Sequence, residues 1–223
     1  MELQEFEKEI GYSFKDIEKL KTALTHTSYA NERNIESNEK LEFLGDAILE
    51  FVTSQYLYEN YKHLKEGEMT KVRASAVCET SLFEIAKKHN FSDFLYLGKS
   101  EIANGGSKRP AILADAVEAV IAAMYLDGGL EPPKKFIIEN VEECIKQASH
   151  SVGQKDYKTV LQEKLQKKGK SHIEYSIVAE KGPDHNKCFT AQVKCNGKIL
   201  ATGEGRSKKI AEMEAAKNAL QNK

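Results

Sequence analysis

The 223-residue sequence predicts an all-α body followed by a small α+β domain of order α-β-β-β-α. Three observations carry that expectation. Apolar residues recur at three- and four-residue spacing through the first 148 positions, where few segments alternate with period two. Alternation then appears twice, over 172–180 (HIEYSIVAE) and 187–195 (KCFTAQVKC), and Asn196-Gly197 supplies a two-residue hairpin turn after the second. Charge divides at the same place: residues 155–223 hold 15 Lys+Arg against 8 Asp+Glu, and residues 1–154 hold 18 against 26. The net charge of −1 therefore averages an acidic body at −8 and a basic tail at +7. Such a tail suits a polyanion, and such a body needs cations to tolerate one.

In the body, the spacing predicts helices over 13–23, 39–61, 68–77, 79–89, 110–126 and 132–148. The polar stretch ASHSVGQKDY, 148–157, contains Gly153 and only Val152 as a large apolar residue, so a linker is expected over 149–154. It separates domains at 1–148 and 155–223. In the tail, YKTVLQEKLQKKG is a helix with Val160, Leu161 and Leu165 on one side, KILATGEG is the third strand, and SKKIAEMEAAKNALQ is the closing helix. There are no internal repeats and no low-complexity tract.

Composition narrows the class. A hydrophobic share of 40% with 30% charged residues is ordinary for a globular protein. The start, MELQEFEKEI, is too acidic and polar for a signal peptide, and no apolar run approaches the roughly 20 residues that span a bilayer. No membrane association is expected. Cys78, Cys144, Cys188 and Cys195 form no CxxC pair, which points to free thiols in a reducing compartment and a cytoplasmic location.

The segment NEKLEFLGDAILE, 38–50, carries the chemistry. At about 100° per residue, Glu39, Glu42 and Asp46 fall within an arc of about 60°, while Leu41, Phe43, Leu44, Ile48 and Leu49 occupy much of the rest. Like charges three and four residues apart repel, and a divalent cation would compensate them. A solvated helix face is the plainer reading, and Glu50 on the same arc shows that angle alone selects no ligand. A second apolar helix, ILADAVEAV at 112–120, answers this with Asp115 and Glu118, since carboxylates among such neighbours are costly unless paired or metal-bound. Oxygen donors without His or Cys favour Mg²⁺, with Mn²⁺ as a substitute.

NEKLEFLGDA resembles the signature of the ribonuclease III family of double-stranded-RNA endonucleases. LTHTSYANE (24–32), EGEMTKVRA (66–74) and ILADAVEA (112–119) follow the family order, and GRSKKIAEMEAA resembles the end of a double-stranded-RNA-binding domain. The resemblance covers essentially the whole chain and shows no departure at the acidic positions. It implies an all-α endonuclease domain followed by a double-stranded-RNA-binding domain, acting as a homodimer. Glu42, Asp46, Asp115 and Glu118 would form the metal-binding catalytic cluster, with Asp46 and Glu118 closest to the chemistry and Glu39 and Glu66 in support. Phe43 would plug a pocket on the partner subunit, although an ordinary core Phe fits the sequence nearly as well. The products implied are 5′-phosphate and 3′-hydroxyl ends with a short 3′ overhang, from ribosomal RNA precursors and structured messenger or transfer RNA transcripts. Three RNA contacts are implied: Gln162 and Glu163 in one minor groove, Pro183, Asp184 and His185 in the next, and Ser207, Lys208 and Lys209 on phosphates between them. Lys208 and Lys209 open a helix, where cations oppose the macrodipole unless an anion docks.

Other motifs decline on inspection. ANGGSKRP, 103–110, lacks the P-loop spacing, and Lys108 and Arg109 there are candidates for phosphate contact only; no organic cofactor is expected. His26 reads as a structural hydrogen-bonding residue. No GxSxG context or cysteine nucleophile motif supports a covalent mechanism. Two other functions remain: a duplex-RNA binder without catalysis, disfavoured by its costly acids, and a hydrolase of other phosphate esters, disfavoured by the basic tail.

Overall fold

The structure is a computed structural model that describes residues 3–152, 157–167, 172–181 and 187–221. Two compact units divide the chain, Met1–Gly153 and Gln154–Lys223. The first is built around α8 (Pro110–Gly128). Pro110 starts this helix where its missing N–H costs nothing. Its interior is apolar on nearly every side, with Leu113, Val117, Val120, Ile121 and Met124 buried, as expected of a helix enclosed by others. Its neighbours are α2 (Ile17–Ala23), α4 (Glu39–Asn60), α6 (Glu79–Lys88) and α9 (Glu131–Val152), and α5 (Glu66–Ala76) packs on α9 and α4. Among the described residues no helix is long and apolar enough to cross a membrane.

Three differences from the sequence reading have physical reasons. Helices α1 (Leu3–Ile10), α3 (Thr27–Arg33) and α7 (Lys99–Ala103) are short, and too few turns repeat for spacing to announce them. Helix α2 starts at Ile17 rather than at 13, because Asp16 caps it by accepting from Glu18 N–H. Helix α9 runs through Val152, into the stretch read as linker. Buried Ser149 satisfies its Oγ there by donating to Lys146 O, so a polar residue that reads as linker belongs to the last helical turns.

The second unit holds α10 (Tyr157–Gln166), β1 (Ile173–Lys181), β2 (Cys188–Cys195), β3 (Lys198–Gly205) and α11 (Lys208–Gln221). The sheet is antiparallel in the order β1-β2-β3, with Tyr175 opposite Val193 and Val193 opposite Ala201. Asn196 and Gly197 both take positive φ, 50° and 79°, so the hairpin turn is the one its sequence demands. Ala211, Ala215, Ala216 and Ala219 of α11 meet Leu161, Ala191, Val193 and Ala201 in a core of small residues. Gly203 and Gly205 explain that choice, because a Cβ at either would strike the backbone of α11.

Candidate active site and duplex-binding surface

Helices α4 and α8 touch at Gly45. A Cβ on this residue would fall on the backbone carbonyl of Glu118, so only glycine permits the approach. Gly45 lies between Glu42 and Asp46, and the contact brings their turn against the turn of α8 that carries Asp115 and Glu118. The four carboxylates then act on one another. Burial, followed by the charges of Asp46, Glu42 and Asp115, pushes the Glu118 carboxyl up to about 8. Burial raises Glu42 above the ordinary carboxylate range, and Asp115, Glu39 and Asp46 add to the effect. Asp115 is also raised, first by burial and further by Glu79, while the His26 ring opposes both.

Other acids of α4 and α5 are already partnered. Glu50 pairs with Arg73 of α5, Nε to Oε2 at 2.6 Å, and Arg73 also donates to Ser54 Oγ at 2.9 Å. Glu39 accepts from Ser37 Oγ at 3.0 Å, and Glu66, exposed at the start of α5, from Thr70 Oγ1 at 3.4 Å. Glu68 caps α5 by accepting from Lys65 N–H at 2.8 Å. By contrast, the carboxylates of Glu42, Asp46, Asp115 and Glu118 have no hydrogen-bond or ion-pair partner among the described residues. The donor set is all oxygen, which suits a hard divalent cation. As the side chains stand, no three His, Cys, Asp or Glu among the described residues converge closely enough to hold an ion.

Three contributors escaped the sequence reading. Arg73 removes Glu50 from the set, Glu79 faces Asp115 from the start of α6, and Gly45 sets the helix spacing. Only Gly45 left a signal, as a helix-weakening glycine inside a long apolar segment. His26 has the structural role expected of it, capping α3 by accepting from Ser28 N–H at 3.2 Å. Phe43 is 81% exposed on α4, which rules out the core role within this chain. Arg109 pairs with Glu101 at 2.8 Å, while Lys108 is exposed.

In the second unit, Gln162 and Glu163 lie exposed on α10 beside the buried Leu161. Ser207 Oγ accepts from Ile210 N–H at 3.2 Å and caps α11. Lys209 is exposed at the second position of that helix. Lys208 Nζ lies 3.9 Å from Glu180 Oε1 on β1 and 5.9 Å from the Phe189 ring centroid, so its charge is partly engaged. Pro183, Asp184 and His185 lie outside the described residues.

A ribonuclease-III-like family model matches residues 16–144, more than half of the chain, and a double-stranded RNA binding motif model matches 157–223. The chain belongs to the ribonuclease III family. Proteins named ribonuclease 3 from Syntrophomonas wolfei and Caldanaerobacter subterraneus are 48% and 49% identical to it over 217 and 216 residues. Those alignments cover 97% and 96% of this chain and 92% and 95% of the relatives. The nuclease domain of ribonuclease III from Campylobacter jejuni superposes with a TM-score of 0.60 at 39% identity, covering 64% of this chain and 97% of that one. That structure is described as flexible in the region involved in its dimer formation. As a ribonuclease III, the chain is an endoribonuclease of double-stranded RNA, from a family that is generally metal-dependent.

Proposed function

We propose that this member of the ribonuclease III family hydrolyses RNA duplexes with Mg²⁺, or Mn²⁺ in its place, at Glu42, Asp46, Asp115 and Glu118. One observation carries the proposal: these four carboxylates act on one another at the α4–α8 contact and have no hydrogen-bond or ion-pair partner among the described residues. Divalent metal ions bound there would activate water and neutralise charge on the phosphoryl and leaving oxygens. The protein's part is positional. Gly45 holds the two helices together, Arg73 draws Glu50 away, and Glu39 and Glu66 add negative charge around the cluster. The products proposed are 5′-phosphate and 3′-hydroxyl ends with a short 3′ overhang. Cellular substrates would be ribosomal RNA precursors and structured messenger and transfer RNA transcripts in the cytoplasm, with no organic cofactor involved.

The second unit would supply the duplex, through Gln162 and Glu163 on α10, Pro183, Asp184 and His185 after β1, and Ser207, Lys208 and Lys209 at α11. Lys108 and Arg109 are further candidates for phosphate contact. Binding should weaken steeply with salt, since phosphate contacts release counterions. Incubating the protein with a long uniform RNA duplex tests the reading. Short duplexes with 5′-phosphates and 3′ overhangs are expected with Mg²⁺ and not with Ca²⁺. RNA that is bound but intact under both conditions would leave only a duplex binder, and hydrolysis of small phosphate esters without RNA binding would favour a different hydrolase.

The proposed assembly is a homodimer in which Phe43 of each subunit enters the other. The exposure of so large an aromatic side chain supports it, because a bulky apolar group in water gains by burial. Phe43→Ala is expected to weaken self-association at least tenfold in sedimentation equilibrium while leaving the monomer folded. Unchanged self-association would remove Phe43 from the interface.

A further inference from the structure

Cys78 and Cys144 lie outside the acidic cluster, and the proposed hydrolysis makes no use of them. Cys78 is exposed at the N-cap of α6, and Cys144 is half-buried on α9. Their thiols meet the same two atoms. Cys78 Sγ lies 3.4 Å from the Ser75 carbonyl oxygen and 3.6 Å from Ser81 Oγ. Cys144 Sγ lies 3.5 Å and 3.6 Å from those atoms, and Ser81 Oγ itself donates to Ser75 O at 2.9 Å. The two paths through the single Ser75 oxygen bound the sulfur–sulfur separation at about 7 Å. A cavity of about 280 Å³, lined by Thr80, Ser81, Lys88, Val141 and Cys144 among others, opens beside Cys144, and Cys78 is itself exposed to a small oxidant.

The surroundings favour reaction at Cys78. Burial pushes its thiol up, but hydrogen bonds with the backbone N–H groups of Ser81 and Thr80 and with the Ser81 hydroxyl outweigh that effect and lower it. A thiol at a helix N-terminus with such donors has raised thiolate character. Cys144 stands where a resolving thiol is needed.

We propose that Cys78 and Cys144 are an oxidative modification site, a dithiol that a peroxide converts into an intramolecular disulfide. The Cys78 thiolate attacks one peroxide oxygen, the O–O bond breaks, and the second oxygen leaves as hydroxide. Cys78 is then a sulfenic acid. The Cys144 thiolate attacks the Cys78 sulfur, the S–O bond breaks, and hydroxide leaves. The two thiol protons convert both hydroxides to water, so two thiols are oxidised and one peroxide is reduced to two waters. Reaching the roughly 2 Å bond length requires the exposed Cys78 side chain to turn away from Ser75 and Ser81 towards Cys144. The bond ties the N-cap of α6, next to Glu79, to α9. A reducing cytoplasm reverses it, as expected of a transient regulatory disulfide.

The test uses the full chain treated with hydrogen peroxide, alkylated, digested without reduction and mapped by mass spectrometry. A Cys78–Cys144 peptide pair is expected, together with a fall from four titratable thiols to two. Dithiothreitol should abolish the pair and restore the thiols. The oxidised protein should melt about 5 °C higher, because the cross-link restricts the unfolded chain. The pair should persist in the Cys188→Ser/Cys195→Ser protein and vanish in Cys78→Ser. Sulfinic acid at Cys78 without a cross-link, or Cys78 joined to Cys78 of another chain, would overturn the proposal. The native-sequence map decides even if Cys78→Ser fails to fold.

Discussion

Glu118→Gln is expected to lower cleavage of an RNA duplex about 10³-fold while leaving duplex binding within twofold of its original strength. The amide keeps the shape of the side chain but removes the charge proposed to hold a cation. Losing about 4 kcal/mol of charge stabilisation corresponds to three powers of ten in rate. Binding should survive because the groups proposed to grip RNA lie mostly in the second unit and do not include Glu118. Normal cleavage by the variant at low Mg²⁺ would remove Glu118 from the site.

The same substitution carries a pH signature. The folded Glu118 carboxyl titrates at about 8, above its ordinary 4.5. In metal-free protein the folded state therefore holds a proton that the unfolded chain releases earlier, and stability declines as pH rises from about 4.5 to 8. Glu42 and Asp115 are displaced in the same direction. With chelator present, the native sequence should melt lower at pH 8 than at pH 5, and Glu118→Gln should flatten the decline and melt higher at pH 8. Thermal melts by circular dichroism at the two pH values check this. An unchanged slope in the variant would place Glu118 in water rather than against its acidic neighbours.

Gly45→Ala should be the most damaging single-methyl change in the first unit. Alanine favours an α-helix over glycine by up to about 1 kcal/mol, so propensity alone predicts a more stable protein. The added Cβ, however, falls on the Glu118 backbone, which has no flexible end to move aside. Helices α4 and α8 must separate, at a cost of about 3 kcal/mol. The melting midpoint should drop by about 8 °C, and cleavage should fall with it as Glu42 and Asp46 shift relative to Asp115 and Glu118. A rise in the midpoint would mean that the helices do not touch here.

The placement of four acids on two apolar helices and the order of elements in the second unit were legible because each leaves a local mark. Carboxylates on apolar helices stand out, and Asn-Gly between alternating runs announces a hairpin. What escaped was relational. Glu50 shares the arc of Glu39, Glu42 and Asp46, and only the approach of α5 shows that Arg73 has taken it. Gly45 reads as a weak point until α8 is laid across it. Phe43 has the same identity in a core and on a surface, and exposure alone separates the two. The end of α9 misled for a related reason, since polar residues are common in linkers and in the last turn of a helix alike, and Ser149 is in fact buried.

The glycines beneath α11 have a consequence for measurement in the literal sense. Lys158 of α10 pairs with Glu212 of α11 at 2.7 Å, and Lys164 donates to Leu220 O at 3.3 Å, so the two helices are clipped at both ends. Gly203 and Gly205 let the sheet press on the backbone of α11, and backbone atoms have no rotamers through which to yield. The span from Gln162 to Lys209 is thus held like the jaws of a locked caliper. A-form and B-form duplexes differ in groove width and phosphate spacing, and a span braced in this way favours one gauge over the other. On the proposed binding surface, rejection of DNA would then come from the stiffness of the gauge as much as from contact with any 2′-hydroxyl.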